Sequence, residues 1–257
     1  MRDPLPSDDG DRERERPLSD LLLQFRAGAM AASLAALSVL GQSSAAAAVA
    51  AATETPSLAP YFTAIDAAPR APDADGFLQR WLLLEPIVKP NRSNTGFTGT
   101  YVREALTSQY FPSQFKGVPR DGQTVSAAGA PLRWHALDTS LFDVKLFNFA
   151  QSLSKPTYGV IFWAVTVVNS PREISNVRLA VGSNSASMWW VNGKEAAGLF
   201  GDRRMVMDDV VSAPLTLHKG KNIVRGAVIN GPGLSDFCVR FIDEDGHPIR
   251  DIALDLR

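Results

Sequence analysis

The second half of the chain, residues 158–257, consists of short apolar segments separated by turn sequences. Segments such as 158–169 (YGVIFWAVTVVN) and 174–183 (ISNVRLAVGS) are rich in β-branched and aromatic residues, which favour strands. The segments follow one another too closely for helices to lie between them, which excludes a doubly wound fold. This spacing instead predicts an antiparallel β-sandwich of the jelly-roll type.

The part of the chain that precedes these segments follows a less regular pattern. The best helix candidate is 99–111 (GTYVREALTSQYF), because its apolar residues recur near helical spacing. Strands are predicted at 77–87 and 132–137, and the stretch 112–131 between helix and strand reads as loop. Residues 142–149 fit either a strand or a short helix. We therefore predict a mainly β fold with one or two short helices.

A hairpin is predicted at 188–195 (MWWVNGKE), where two adjacent tryptophans run into an Asn-Gly turn. Asn-Gly tolerates the positive φ angles that a two-residue turn requires. Adjacent residues of a strand point to opposite faces, so Trp189 and Trp190 point in opposite directions. They could serve as a sugar-stacking platform, but we favour two packed layers, which makes the pair mainly a signature of the fold.

Further strands are predicted toward residue 257. Residues 210–230 are expected to hold another pair of strands, with Lys219-Gly220 at or near the bend between them. The segment 235–243 alternates apolar and polar residues as a half-buried strand does, and 250–256 is predicted as the last strand.

The N-terminal segment 1–52 differs in composition from the rest of the chain. Its first part is polar and charged, whereas 27–52 is almost entirely small and apolar and is preceded by Arg26. A charged region, an apolar run and Ala-x-Ala sites predict a secretory signal peptide. An uncleaved membrane anchor and a disordered alanine tract remain alternatives, and translation starting near Leu21 or Met30 would explain the long acidic leading part.

The remaining chain is divided by composition into two parts. Residues 53–75 are rich in Pro, Ala and Asp, and we interpret them as a linker or as an arm that lies on the domain. Residues 76–257 are predicted to form the sandwich domain. Export predicts a periplasmic or secreted location without a stable membrane span after signal cleavage.

Composition excludes several classes of function. The 257 residues carry a formal net charge of -1, so no basic surface for nucleic acid is indicated. The single cysteine, Cys238, forms no intrachain disulfide and is predicted to be a buried, inert thiol. The three histidines, His135, His218 and His247, are scattered, and no metal site or cofactor is predicted.

The order of motifs in the second half resembles a known family. The runs VRLAVGSNSASMWWVNGKEAA, DDVVSAPLTLHKGKNIVRGAVINGPG and DFCVRFIDEDGHPI occur in the order of strands and turns found there. They resemble the galactose-binding-like jelly rolls attached to family 2 glycoside hydrolases and acetyl xylan esterases. The resemblance covers 76–257, is strongest over 174–246, and implies a sugar-binding or accessory domain.

One segment departs from the family pattern. Where the family usually carries acidic residues after Gly-Ser, this chain has Ser183, Asn184 and Ser185. Asn and Ser still hydrogen-bond a sugar, but they coordinate calcium less strongly than carboxylates do.

Catalytic motifs are missing from the sequence. No Gly-x-Ser-x-Gly motif is present, and the adjacent Asp208 and Asp209 would diverge on a strand rather than face one cleft. His135 is interpreted as a structural histidine. We therefore predict that the chain is not an enzyme, and a small hydrolase with an atypical site is the weaker reading.

Carbohydrate binding uses flat aromatic faces that stack on a sugar ring and polar groups that bind its hydroxyls. Trp163 is predicted to be core, whereas Trp134, beside charged neighbours, fits core and site equally. The tentative carbohydrate-binding set is Trp134, Asn184, Trp190, Lys194, Arg204 and Asn230. Other polar residues that could line such a site are Arg178, Asn192 and Arg203.

These observations predict an exported, non-catalytic carbohydrate-binding or accessory domain associated with polysaccharide degradation. The expected partners are a polysaccharide or oligosaccharide and a glycan-degrading enzyme. The alternative is a structural or protein-interaction sandwich that packs on a separate enzyme or assembles with itself.

Overall fold

The computed structural model describes residues 57–90 and 93–257. The predicted signal segment 1–52 and residues 53–56 lie outside the described residues. The larger sheet has the spatial order β1 (Phe62–Ala64), β4 (Ala130–Thr139), β2 (Arg80–Val88), β5 (Val160–Ser170), β11 (Gly220–Asn230), β7 (Ala186–Val191), β8 (Lys194–Leu199), with β3 (Thr124–Ala127) beside β4 and β13 (Ala253–Leu254) beside β5.

The smaller sheet and the helices complete the fold. The smaller sheet has the order β10 (Leu215–Leu217), β6 (Ile174–Ser183), β12 (Phe237–Ile242), with β9 (Val210–Val211) also beside β6. The helices are α1 (Gly99–Thr107) and α2 (Leu146–Ser152), and a 3-10 turn precedes α1 at Asn94–Gly96. All strand pairs among the described residues are antiparallel. The predicted mainly β fold with antiparallel sheets and two short helices is confirmed.

The larger sheet is buried on both faces. One face packs on the smaller sheet, so that β5 and β7 side chains meet residues such as Leu179 and Phe241. The other face is covered by α1 and the segment that follows it, including Val102 and Phe111. Strands covered on both sides are apolar along their whole length, which explains the continuous apolar sequence of β5.

The two adjacent tryptophans of β7 belong to these two different cores. Trp189 is 0% exposed and lies between the sheets, where its ring meets Trp81 and Phe237 edge-on. Trp190 is 7% exposed and lies on the α1 side, stacked on Trp163 at 5.8 Å between ring centroids. The interpretation of the pair as members of two packed layers is confirmed.

The hairpin that joins β7 to β8 has the predicted turn. Asn192 and Gly193 both have positive φ, 51° and 80°, as the two-residue turn requires. Asn192 also fixes the turn to the neighbouring strand, because its Oδ1 accepts the Ile223 N–H and its Nδ2 donates to Asn222 Oδ1.

The helix α1 is shorter than predicted. Its N-terminus is capped by Thr98, whose Oγ1 accepts the Tyr101 N–H at 3.3 Å, and its buried side chains are on the predicted apolar face. The helix ends at Thr107 because Ser108 is extended, so the predicted extension to 111 is wrong. The ambiguous segment 142–149 contains the start of α2.

Two local features differ from the expected arrangement, and the arm forms defined strand pairs. Residues predicted as loop contain β3, which forms a hairpin with β4. The strands on either side of Lys219–Gly220 exist, but β10 pairs with β6 and β11 with β5 and β7, so the bend crosses between sheets. The arm 57–75 contributes β1, which pairs with β4, and Arg70, which pairs with Leu254.

Candidate functional site

A polar cleft of about 450 Å³ lies at the end of the sandwich where two connections cross from one sheet to the other. The first connection joins β6 to β7, and the second joins β11 to β12. In the larger sheet β7 pairs with β11, with Ala186 opposite Ile229, and in the smaller sheet β6 pairs with β12, with Ser183 opposite Phe237. The cleft is lined by Asn184, Ser185, Asp202, Arg203, Arg204, Met205, Asn230, Pro232, Gly233 and Leu234.

Asn230, at the end of β11, lines the cleft with one unpaired atom. Its Nδ2 donates to the carbonyl oxygens of Thr157, at 2.8 Å, and Gly233, at 3.1 Å. Its Oδ1 is buried and accepts no hydrogen bond from the described residues. The amide is therefore held in place by its donor side, and its acceptor side is unpaired.

Ser185 forms the turn between β6 and β7 and has a similar unpaired atom. Its backbone is in the left-handed region with a φ of 61°, and its N–H donates to Arg203 O at 3.1 Å. Its hydroxyl is buried without a hydrogen-bond partner among the described residues. A buried polar group without a partner costs about 1–3 kcal/mol, so a partner that forms a hydrogen bond with it would offset part of that cost.

Asn184 organises the wall of the cleft rather than facing it with free groups. Its Oδ1 accepts the Met205 N–H at 2.6 Å, and its Nδ2 lies 3.4 Å from Asp236 Oδ2. Asp236 is buried and also accepts from Lys145 Nζ at 3.1 Å. Burial raises the pKa of Asp236 above its usual value, against the opposing effect of Lys145.

The loop after β8 supplies the positive charge of the cleft. Arg203 is paired, since Nη1 donates to Asp209 Oδ2 and Nη2 to Phe200 O. Arg204 is exposed and forms no ion pair with any residue of 57–90 or 93–257. Gly182 allows this loop to approach β6, because a Cβ there would lie 1.9 Å from Val206 O.

The cleft brings together three of the six predicted binding residues, Asn184, Arg204 and Asn230. Lys194 lies elsewhere, in a second cleft beside the β7–β8 turn. Trp134 is 2% exposed and packs among core residues, as does Trp190, so neither indole offers an open face to a sugar at the polar cleft.

Ser185 and Leu234 line the cleft but are absent from the predicted binding set. Leu234 is 61% exposed and forms an apolar part of the rim. Its neighbours Pro232 and Gly233 mark a loop between two strands, which is the one sequence signal that could have indicated it. Ser185 was noticed only as a departure from a family pattern.

His135 and Cys238 have structural surroundings. His135 Nε2 lies 3.4 Å from Glu85 Oε1, and that carboxylate is also paired with Lys155 at 2.9 Å. Burial lowers the pKa of His135, and Glu85 opposes this effect. Cys238 is buried as predicted, and burial raises its thiol pKa to about 12, which keeps it protonated and unreactive at neutral pH.

In the described part of the chain, Asp243, Asp245 and His247 form a group whose side chains could together ligate a metal ion. Their ligand atoms lie within 4.8 Å of one another near the surface. Asp243 Oδ1 already accepts the backbone N–H groups of Asp245 and His247. The cluster therefore has a role as a turn between β12 and the following segment.

The fold and cleft define an antiparallel β-sandwich with a polar cleft between two inter-sheet crossovers. No protein-family model matches the sequence, and no curated protein matches it. Two solved structures are similar: a PA14 sugar-binding domain from an RTX adhesin and the PA14 domain of the antifreeze protein MpAFP.

The likeness to both structures is low. The adhesin domain is 14% identical, with 68% of this chain and 96% of that chain covered and a TM-score of 0.33. The antifreeze-protein domain is 10% identical, with 68% and 89% covered and a TM-score of 0.35. TM-scores this low do not establish a shared fold. Among residues 57–90 and 93–257, the helices are too short or too polar to cross a membrane.

Proposed function

We propose that this chain is an exported, non-catalytic carbohydrate-binding domain associated with polysaccharide degradation, and that its sugar ligand occupies the polar cleft. The observation that carries the proposal is the pair of buried, unpaired atoms in that cleft, Asn230 Oδ1 and Ser185 Oγ. Export is supported by the composition of 1–52, and the link to polysaccharide degradation by the sequence resemblance to galactose-binding-like accessory domains.

The chemistry of the two unpaired atoms suits a sugar. An amide oxygen only accepts hydrogen bonds, whereas a serine hydroxyl both donates and accepts. Each sugar hydroxyl also does both, so a sugar pairs with Asn230 Oδ1 and Ser185 Oγ once the side chains that cover these two buried atoms shift. The ligand then satisfies groups that the protein leaves unpaired.

The rest of the cleft also fits a sugar in size and composition. Its volume of about 450 Å³ lies within the range of about 300–1,000 Å³ for small-molecule sites. Arg204 adds donors at the rim, and the exposed side chain of Leu234 offers an apolar surface to the C–H face of a sugar ring.

Calorimetry with tetrasaccharides from xylan, galactan and cellulose tests the proposal. The expected result is binding of at least one of them, weakened about tenfold in Arg204→Ala by the loss of a charged hydrogen bond. Lys194→Ala is the matched control, because that cation lies in a different cleft and its loss should leave the affinity unchanged.

Ser185→Ala gives a second test with a sharper control. Deleting the unpaired hydroxyl should raise the free energy of unfolding by about 1 kcal/mol and weaken glycan binding. Ser235 also has a buried hydroxyl without a partner among the described residues, but it does not line the cleft. Ser235→Ala should therefore give the same gain in stability with unchanged binding.

A lack of binding to all three glycans would contradict the proposed function. If the protein then also forms a stable self-assembly in sedimentation experiments, the structural or protein-interaction alternative is favoured.

A further inference from the structure

A second site is indicated by a buried arginine on the α1 side of the larger sheet. Arg225 projects from β11 under the segment that follows α1 and is 3% exposed. Its Nη1 donates to Phe115 O at 3.2 Å and its Nη2 to Gly117 O at 2.6 Å. Its side chain therefore fastens that segment to the sheet.

The charge of Arg225 is not neutralised by the protein. Arg225 forms no ion pair in the part of the chain that the structure describes, and its Nε–H is buried without an acceptor. Removing a charge from water without a counter-charge is costly, and two neutral carbonyl groups offset only part of that cost. Burial accordingly lowers the pKa of the guanidinium.

A pocket of about 260 Å³ is lined in part by Arg225. It is lined by Phe111, Pro112, Ser113, Gln114, Lys116, Gly117, Val118, Pro119, Gln123, Val125, Trp134, Val165 and Arg225. Two of the lining residues are cations and none is a carboxylate, so the pocket favours an anion. It shares no lining residue with the polar cleft.

The walls of the pocket indicate what kind of anion fits. Phe111, Trp134 and Val165 form an apolar surface beside the charge, and Gln114 and Gln123 add amides. A dry cavity of about 150 Å³ holds a benzene molecule, so 260 Å³ accommodates one ring with an ionised substituent. Arginine pairs with carboxylates through parallel hydrogen bonds.

We propose that this pocket binds a small organic carboxylate carrying one ring, with Arg225 as its counter-charge and Trp134 as an apolar wall. The ligand carboxylate supplies the negative charge that the protein does not place beside Arg225, and the ring covers the apolar lining. An aromatic acid and a sugar acid share this chemistry. The site is independent of the polar cleft and of the function proposed for it.

Matched pairs of charged and neutral probes test the site on the unmodified protein. Calorimetry compares benzoate with benzamide, and glucuronate with glucose, and each pair differs chiefly in the negative charge. At least one acid should bind, and its neutral partner should bind at least about tenfold more weakly, as expected for loss of a charge-assisted pair. Which acid binds identifies the aromatic or the sugar source.

Two results would overturn the proposal. One is the failure of both benzoate and glucuronate to bind at about 10 mM, well above the range of specific sites. The other is equal affinity for an acid and its neutral partner. Either result leaves the glycan proposal for the other cleft untouched, because that ligand is tested with neutral tetrasaccharides.

Substitutions assign the binding to this pocket. Arg225→Met should abolish the preference for the acid, but it also breaks two hydrogen bonds and can impair folding. Lys116→Ala removes the second, exposed cation and should weaken acid binding about threefold. Lys219→Ala is its control, because that exposed lysine does not line the pocket. Equal effects of the two lysine substitutions would place the acid elsewhere.

Discussion

Replacing Gly226 by alanine should destabilise the protein because the ring of Trp189 occupies the space above that glycine. The two residues are directly opposite each other on β11 and β7. A Cβ at Gly226 would lie 2.2 Å from Trp189 Cζ3 and 2.5 Å from two other ring atoms. Trp189 has little freedom to retreat, since its Nε1 donates to Ser187 Oγ at 3.0 Å and its ring packs on Trp81 and Phe237.

The expected magnitude follows from three contributions. Overpacking a close-packed core costs about 1–3 kcal/mol. Displacing the indole also weakens two edge-to-face contacts, each contributing about 0.5–1.5 kcal/mol. Restricting the unfolded chain through Gly→Ala offsets about 0.4–1 kcal/mol. The free energy of unfolding should therefore fall by about 3 kcal/mol for Gly226→Ala.

Urea unfolding at 25 °C, with Gly99→Ala as the control, measures this effect. Gly99 begins α1, and a Cβ there has its nearest neighbour at 4.0 Å, so the same substitution should stabilise by about 0.4–1 kcal/mol. Trp189→Leu combined with Gly226→Ala should cost less than the sum of the two single changes, because Leu removes the clash. Additive costs, or a change below about 0.5 kcal/mol for Gly226→Ala, would refute the reasoning.

Three further substitutions test the core and the pH dependence of stability. Trp134→Ala and Trp163→Ala should each lower the free energy of unfolding by about 3–5 kcal/mol, because both indoles are buried. If Trp134→Ala leaves urea unfolding unchanged, the burial of that ring is wrong. The pKa of His135 is lower in the folded protein than in the unfolded chain, where it is about 6.5. As the pH falls below about 6.5, the unfolded chain therefore takes up a proton first. The stability that neutral His135 contributes is full above that pH and is lost as the pH falls through the folded pKa. His135→Gln should therefore lose less stability than the unmodified protein between about pH 7.5 and 5, and equal losses would contradict this.

The strands of the second half could be predicted because their signals are local. β5, β6 and the β7–β8 hairpin each follow from β-branched segments and from one Asn-Gly turn. The partners of β10 and β11 could not be predicted, because nothing at Lys219–Gly220 distinguishes a hairpin bend from a crossover between sheets. The end of α1 depends on the extended backbone of Ser108, which helical periodicity does not report.

The candidate site could be predicted only in part, since residue type indicates chemistry but not burial. Asn184, Arg204 and Asn230 were selected as polar groups, and crossover geometry brings them together. Trp134 and Trp190 were selected as flat aromatic faces, but α1 and the following segment cover that side of the sheet. The sequence around Trp134 and Trp190 contains no signal that α1 and the segment after it, which are distant along the chain, bury these two indoles.

The backbone pairing of Arg70 with Leu254 sets an order on folding. Arg70 N–H donates to Leu254 O at 3.0 Å, and Leu254 N–H donates to Arg70 O at 2.7 Å, so the arm and β13 hold each other. Contacts between segments so distant in sequence carry a high loop-closure entropy and form late. During synthesis the end of β5 that β13 covers stays unpaired on that side until residue 254 has emerged, so the larger sheet is completed only after β13 has been made.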